Sequence, residues 1–170
     1  MKILSIDVGI INFSYCVLES TKIIKWENFS FKKKSDFQNT CNLIKEMDSR
    51  PHLLDVDTVL IEKQPRCNPK MRVVAQTIIT YFIMKNKELN LNINVKPYSP
   101  KHKLKCYNGP EPEFKVKSKY QQRKKMSIFH CSELIKEDQE QEFIDYFKNS
   151  KKKDDLADSF LQGLSFLMKS

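Results

Sequence analysis

A chain of 170 residues that is 40% hydrophobic, with 11 Phe and 6 Tyr, is long enough for one sizeable core. No run approaches the roughly 18 apolar residues of a membrane span, and the N-terminus enters a strand pattern directly, which reads as a soluble, intracellular protein without a signal peptide. The 30 Lys and Arg against 21 Asp and Glu leave a net charge of +9; a polyanionic partner follows, nucleic acid being the commonest, with a compositionally Lys-rich surface as the plain alternative. The five cysteines, Cys16, Cys41, Cys67, Cys106 and Cys131, are odd in number and lack CxxC spacing, which argues against a zinc module or a secreted disulfide framework.

In chain order, residues 2–8 are nearly continuously apolar, residues 12–19 follow after Gly9, and residues 22–28 follow a turn at Ser20 and Thr21. That pattern predicts a β-meander. A Lys-rich stretch at 31–35 leads to a helix in which Phe37, Cys41, Leu43, Ile44 and Met47 recur, and Pro51 ends it. Residues 58–62, β-branched and apolar, predict a strand buried on both faces. After Pro65 and Pro69, a long helix over 71–89 carries Met71, Val74, Ala75, Ile78, Ile79, Phe82 and Ile83 on one stripe, and a strand over 92–96 follows. Residues 97–122 read as a mobile basic loop. Helices over about 121–136 and 140–147 lead to a closing helix over 154–168, whose buried face is Leu156, Ala157, Phe160, Leu161, Leu164 and Leu167. The sum is an α/β fold, a mixed sheet with helices packed on its faces.

Acidic residues stand at the ends of these elements. Asp7 opens a D-x-G-x-x-N pattern with Gly9 and Asn12 at the exit of the first strand. There, glycine lets backbone and substrate approach, although the carboxylate could equally accept hydrogen bonds in a turn. Glu62 follows Val59, Leu60 and Ile61 and emerges at a strand's carboxyl end, where ligands bind in open α/β sheets. Asp155 and Asp158 lie at i and i+3 near the start of the last helix and project from one face; Asp154, at i−4 from Asp158, competes with Asp155, or caps the helix. Carboxylates in such places are costly to desolvate unless they converge on a cation. Hard oxygen donors suit Mg²⁺ or Mn²⁺, and two such ions about 4 Å apart can activate a water and stabilise a leaving 3′ oxygen at phosphorus. Cys16 alternates inward as core, and His52, His102 and His130 have no metal-type spacing.

Lys101, Lys103, Lys105, Lys115, Lys117, Lys119, Arg123, Lys124 and Lys125 form the densest cationic stretch, suited to phosphates. Tyr98, Tyr107, Phe114 and Tyr120 interleave with it and could stack on unpaired bases or pack onto the body. Arg66 and Lys70 are further candidates for phosphate contact. The stripe on the helix from Met71 extends beyond what one sheet face covers, which marks it as a dimer surface.

Taken in order, ILSIDVGIINFSYCVLE, VLIEKQ before a long apolar helix, a basic segment and KKDDLADSFL resemble the RuvC-like Holliday junction resolvases of the RNase H-like superfamily, the poxvirus branch most closely. The IEKQ and D-x-G-x-x-N forms are also similar to the mitochondrial fungal resolvases. The resemblance implies a single RNase H-like nuclease domain over 1–170 with a mixed five-stranded sheet and helices on both faces. It further implies a homodimer that nicks four-way or branched DNA symmetrically, with Mg²⁺ or Mn²⁺, two per active site, leaving 5′-phosphate and 3′-hydroxyl ends. Asp7, Glu62, Asp155 and Asp158 would be the catalytic metal ligands, and Lys125 would be the catalytic lysine, with Lys124 and Lys103 as alternatives. The poxvirus likeness places such a protein in the host cytoplasm, at sites of viral DNA replication. Two other readings use the same residues. Actin-like ATPases and sugar kinases share the opening motif but need two such domains, and only three Gly are present. A non-catalytic nucleic-acid-binding module of the same fold would not need all four acids.

Overall fold

Three antiparallel strands open the chain, β1 (Lys2–Asp7), β2 (Asn12–Glu19) and β3 (Lys22–Ser30), as the alternation predicts. The structure is a computed structural model that describes residues 1–31, 35–116 and 118–169; residues 32–34 of the Lys-rich stretch, and Lys117, lie outside them. Strand β4 (Thr58–Glu62) pairs parallel to β1, and β5 (Asn94–Tyr98) parallel to β4, so the sheet order is β3-β2-β1-β4-β5. Helices α1 (Asp36–Asp48), α2 (Pro69–Glu88), α3 (Lys119–Asp138), α4 (Gln141–Asn149) and α5 (Lys153–Leu167) complete the fold, with 3₁₀ turns at Pro51–Leu54 and Pro100–Lys105.

Helix starts follow local chemistry. The side chains of Ser35, Asn68 and Ser118 accept from the backbone N–H groups of Gln38, Met71 and Gln121, and Pro69 sits at the first position of α2, where its missing donor costs nothing.

Period-2 alternation then sorts the strands onto two faces. Leu4, Ile6, Phe13, Tyr15, Val17, Val59 and Ile61 pack against Leu43 and Met47 of α1 and Ile78 and Phe82 of α2. Ile3, Cys16, Leu18 and Leu60 face Cys131 and Ile135 of α3, Phe147 of α4 and Phe160 and Leu161 of α5. The expected mixed five-stranded sheet with helices on both faces is therefore present. Helix α5 crosses β1 and β2 closely: a Cβ on Gly163 would lie 2.7 Å from Leu18 Cδ1 and 3.1 Å from Ser5 Cβ.

This parity positions the acids. Asp7 shares the face of Ile3 and Ser5, and Glu62 that of Leu60; with Ser5 beside Leu60 in the parallel register, both carboxylates leave the same edge of the sheet beneath α5. At Gly9 the chain turns so tightly that a Cβ would meet the Asn12 carbonyl oxygen at 1.7 Å, which accounts for the glycine of D-x-G-x-x-N.

Two expectations are corrected. Strand β5 runs two residues later than 92–96, because Pro97 is tolerated on an edge strand. The segment read as a mobile loop over 97–122 carries regular structure at both ends: β5 continues to Tyr98, a 3₁₀ turn occupies Pro100–Lys105, and α3 starts at Lys119, while residues 106–116 between them form neither helix nor strand.

Candidate active site

The sequence-predicted acids of three elements meet around one lysine. Lys103 Nζ lies 3.0 Å from Glu62 Oε1, 3.4 Å from Asp7 Oδ1 and 3.3 Å from Asp158 Oδ2. The 3₁₀ turn carries Lys103 inward, leaving it 4% exposed in a segment otherwise rich in solvated lysines. Burial works against its ammonium form, yet the charges of Asp7, Asp158 and Glu62 prevail and raise its pKa. For Asp7, burial pushes the pKa well above its ordinary 3.8; Lys103 draws it down, and Asp158 and Glu62 push it further up. One ammonium thus shares three carboxylates, an arrangement short of positive charge.

Asp154 and Asp155, indistinguishable by spacing alone, have different surroundings. Lys124 Nζ forms an ion pair with Asp154. Burial opposes ionisation of Asp154, but the hydrogen bond and charge of Lys124 outweigh it and lower the pKa. Asp155 Oδ2 is buried and has no hydrogen-bond partner among the described residues, and its pKa is raised, by burial first and by Asp154 second. Asp155 is therefore the carboxylate with an uncommitted oxygen.

Lys125, expected beside the acids, is exposed and lies with Nζ 5.8 Å from the Phe114 ring centroid. Helix α3 turns it outward while Lys124 faces α5. The lysine that meets the acids is Lys103, the second basic candidate, and it reaches them because the turn after β5 folds back over the sheet edge.

Three further residues support the cluster and were not singled out from sequence. Ser127 Oγ donates to Asp158 Oδ1 at 2.5 Å. Gln64 Nε2 donates to Glu62 Oε2 at 3.3 Å and to the Glu62 carbonyl at 3.2 Å. Gln162, fully buried one turn beyond Asp158, donates from Nε2 to Ser5 Oγ at 3.1 Å and to the Ile6 carbonyl at 3.0 Å, tying α5 to the strand that carries Asp7. A polar residue inside the apolar stripe of α5, next to Gly163, is the one signal in the sequence that could have found Gln162.

Among the described residues no group of three or more acids, histidines or cysteines stands ready as a metal cage, and Lys103 Nζ lies between the carboxylates of the cluster. The donor set nevertheless fits a hard divalent cation: it is all carboxylate, and among the described residues it is undercompensated by a single ammonium and Asp155 offers a buried oxygen without a hydrogen-bond partner.

Lys63, Arg66, Lys101, Lys105, Lys119 and Arg123, close in sequence to Glu62, Lys103 and Lys124, are exposed cations. Of the interleaved aromatics, Tyr98 packs edge-on against Phe166 and hydrogen-bonds with Ser165, and Tyr107 lies 4.9 Å from the His130 ring. Tyr120 is 67% exposed and is the one most open to a base.

The mixed sheet, the helix carrying two acids across it and the strand-end carboxylates define an RNase H-like fold of the RuvC type. Among solved structures, the chain is similar to the fowlpox virus resolvase crystallised with substrate Holliday junction DNA, at 27% identity and a TM-score of 0.65, covering 99% of this chain and 98% of that one. It shares the fold of the yeast mitochondrial Holliday junction resolvase, at 18% identity and a TM-score of 0.65 over 97% of this chain and 78% of that one. It also shares that of Thermus thermophilus RuvC bound to a Holliday junction substrate, at 12% identity and 0.61 over 97% and 92%. An uncharacterised protein of Acanthamoeba polyphaga mimivirus is 36% identical over 154 residues, 83% of this chain; the match spans 37% of that protein's length. The family model of the poxvirus A22 protein matches residues 1–170, and the chain belongs to that family.

Proposed function

We propose that this protein resolves four-way DNA junctions by paired hydrolytic nicks. It is a RuvC-like Holliday junction resolvase, an endonuclease, and the observation that carries the reading is the convergence of Asp7, Glu62 and Asp158 on Lys103 at the carboxyl end of the β1/β4 pair. Asp7, Glu62, Asp155 and Asp158 would hold Mg²⁺ or Mn²⁺, two ions per site in our reading. Bound there, such ions would supply an activated water and offset charge at the scissile phosphate. The chain's own residues do the rest. Lys103 keeps a proton and a positive charge at the acid cluster, so a phosphate brought to this edge meets an ammonium that is already ordered. Gln64 and Gln162 hold the Glu62 side chain and the β1 backbone. Exposed Lys63, Arg66, Lys101, Lys105, Lys119 and Arg123 bind the backbone of the DNA and make affinity fall with salt.

A four-way junction has near two-fold symmetry, and two nicks need two sites; a C2 homodimer provides both. We place its interface on α2, where Val73, Ile83 and Met84 are exposed. The products are expected to be 5′-phosphate and 3′-hydroxyl ends, and the poxvirus family membership favours action at viral replication sites in the host cytoplasm. Among the described residues no helix is long and apolar enough to cross a membrane.

The test is a nicking assay on a synthetic four-way junction and on linear duplex, with Mg²⁺, Mn²⁺ or EDTA, using wild type, Glu62→Gln and Lys103→Met. Wild type should nick the junction only with metal, and each variant should lose about 10²–10³-fold in rate. Wild-type rates in Glu62→Gln would overturn the assignment of the acids, and in Lys103→Met that of the lysine. Equal cutting of linear duplex would remove the resolvase part and leave the nuclease.

A further inference from the structure

We propose that α3 is a two-point clamp that decides which carboxylates in the first turns of α5 are left for a cation, with Ser127 holding Asp158 and Lys124 holding Asp154. The inference rests on the reading of the acids as metal ligands and concerns what selects them.

The two contacts form one row. Lys124 and Ser127 are three apart on α3, Asp154 and Asp158 four apart on α5, and both spacings return to the same face of a helix. Ser127 is 4% exposed, and its hydroxyl donates to Asp158 Oδ1 at 2.5 Å, while Asp158 Oδ2 points to Lys103 Nζ at 3.3 Å. The serine therefore assigns the two oxygens: one is bound to α3, and the other faces the strand acids. Lys124 engages Asp154 on the same side. Asp155 is rotated about 100° from Asp154 and keeps a buried oxygen with no hydrogen-bond partner among the described residues.

Turning α5 by one residue, so that Asp154 replaced Asp155, would break both contacts together. Without the clamp, three adjacent carboxylates would compete for the same cation. Ser127 and Lys124 are thus positioning residues; neither needs to touch substrate. The sequence holds both in KKMS, and Lys124, weighed as a catalytic lysine, has this other task.

The experiment measures Mn²⁺ binding to the full chain without DNA, by the EPR signal of free Mn²⁺, with thermal unfolding recorded in parallel. Ser127→Ala should bind Mn²⁺ about tenfold more weakly, the usual effect of losing a partner that orients a ligand, with its unfolding midpoint near wild type, and Ser127→Thr should restore binding. Lys124→Met should also weaken binding, and Lys124→Met combined with Asp154→Asn should regain it, because the freed competitor is gone. Unchanged Mn²⁺ affinity in Ser127→Ala or Lys124→Met would overturn the clamp. So would a loss that Asp154→Asn fails to repair, or one that merely tracks a lowered midpoint. Should threonine crowd the site and unfold the protein, the Lys124 pair of variants decides. Wild type that binds no Mn²⁺ would overturn the proposed function itself, an outcome distinct from all of these.

Discussion

The two faces of the sheet are held by different forces. On the α5 face, Ser5, Ser14, Lys103, Ser127, Ser159, Gln162 and Ser165 are all buried, and hydrogen bonds join Ser14 to Ser159, Gln162 to Ser5, Ser165 to Tyr98, Ser127 to Asp158 and Lys103 to Glu62 across elements. Trp26 Nε1 donates to the Leu156 carbonyl at 3.1 Å and to Ser159 Oγ at 3.2 Å, while its ring stacks on Phe147. The α1/α2 face is held by Leu4, Ile6, Phe13, Val17, Val59, Ile78 and Phe82, with few buried polar groups. Apolar burial is non-directional, so it secures a fold without fixing a side chain's orientation. Directional bonds in a low-dielectric interior do fix it. The face that brings Asp7, Glu62 and Asp158 around Lys103 uses directional bonds, and the other supplies packing area and leaves apolar residues exposed.

The largest way to break this division is Phe82→Ala. Phe82 is fully buried on the α1/α2 face, and its truncation should cost about 3–5 kcal/mol in urea unfolding. If the faces are separable, the nicking rate per folded molecule stays at the wild-type value. A rate that falls with stability, to the level of Glu62→Gln, would show that the carboxylates depend on packing across the sheet.

A smaller effect tests what the exposed apolar residues are for. Val73 is 60% and Met84 53% exposed, and both line a groove of about 450 Å³ between α1 and α2, with Thr77 and Thr80 between them. Those four positions recur at helical spacing, so they present one strip. Met84→Glu should weaken self-association at least about tenfold, near 1.4 kcal/mol, read by sedimentation equilibrium, with monomer stability unchanged. A wild type that sediments as a monomer at concentrations where junctions are cut in pairs would sink the α2 interface.

The same division explains what could be read in the sequence. Strands β1, β2 and β4 were legible because their apolar runs end at turns, and Asp7 and Glu62 with them, since parity along a strand decides the face. The α2 stripe was legible from its helical period, although Ile83 falls on the exposed side. Lys103 could not be ranked above Lys125: lysine burial is stable only when carboxylates from β1, β4 and α5 arrive together, and that is a property of the folded chain. Asp154 and Asp155 differ by one helical step, and only Lys124 on another helix separates them. Ser127 and Gln162 act through hydrogen bonds between distant segments, which leave no periodic trace. The basic segment over 97–122 read as one loop because Pro100 opens a turn too short to leave a period, and that turn carries Lys103.

The smallest expected effect comes from the polar exception on the α1/α2 face. At its outer edge Arg50 Nε bonds Glu27 Oε2 at 3.2 Å and lies over the Phe29 ring, Lys25 Nζ lies 3.1 Å from Glu27 Oε1, and the Tyr15 hydroxyl shares a 2.8 Å hydrogen bond with His52 Nε2. Burial alone would raise the pKa of Glu27, but hydrogen bonds from Tyr15, Lys25 and Arg50 prevail and hold it below its ordinary 4.5. A carboxylate depressed in the folded state contributes stability that is complete above its unfolded pKa and is lost as pH falls through the lowered folded value. Glu27→Gln should therefore cost about 1 kcal/mol at neutral pH, a partly exposed ion pair being worth no more, and the difference from wild type should close on acidification. Urea midpoints measured from neutral pH down into the carboxylate range would show two converging curves. Parallel curves would mean that this edge contributes no charge-dependent stability, and that directional bonding serves stability only on the face that carries the carboxylates.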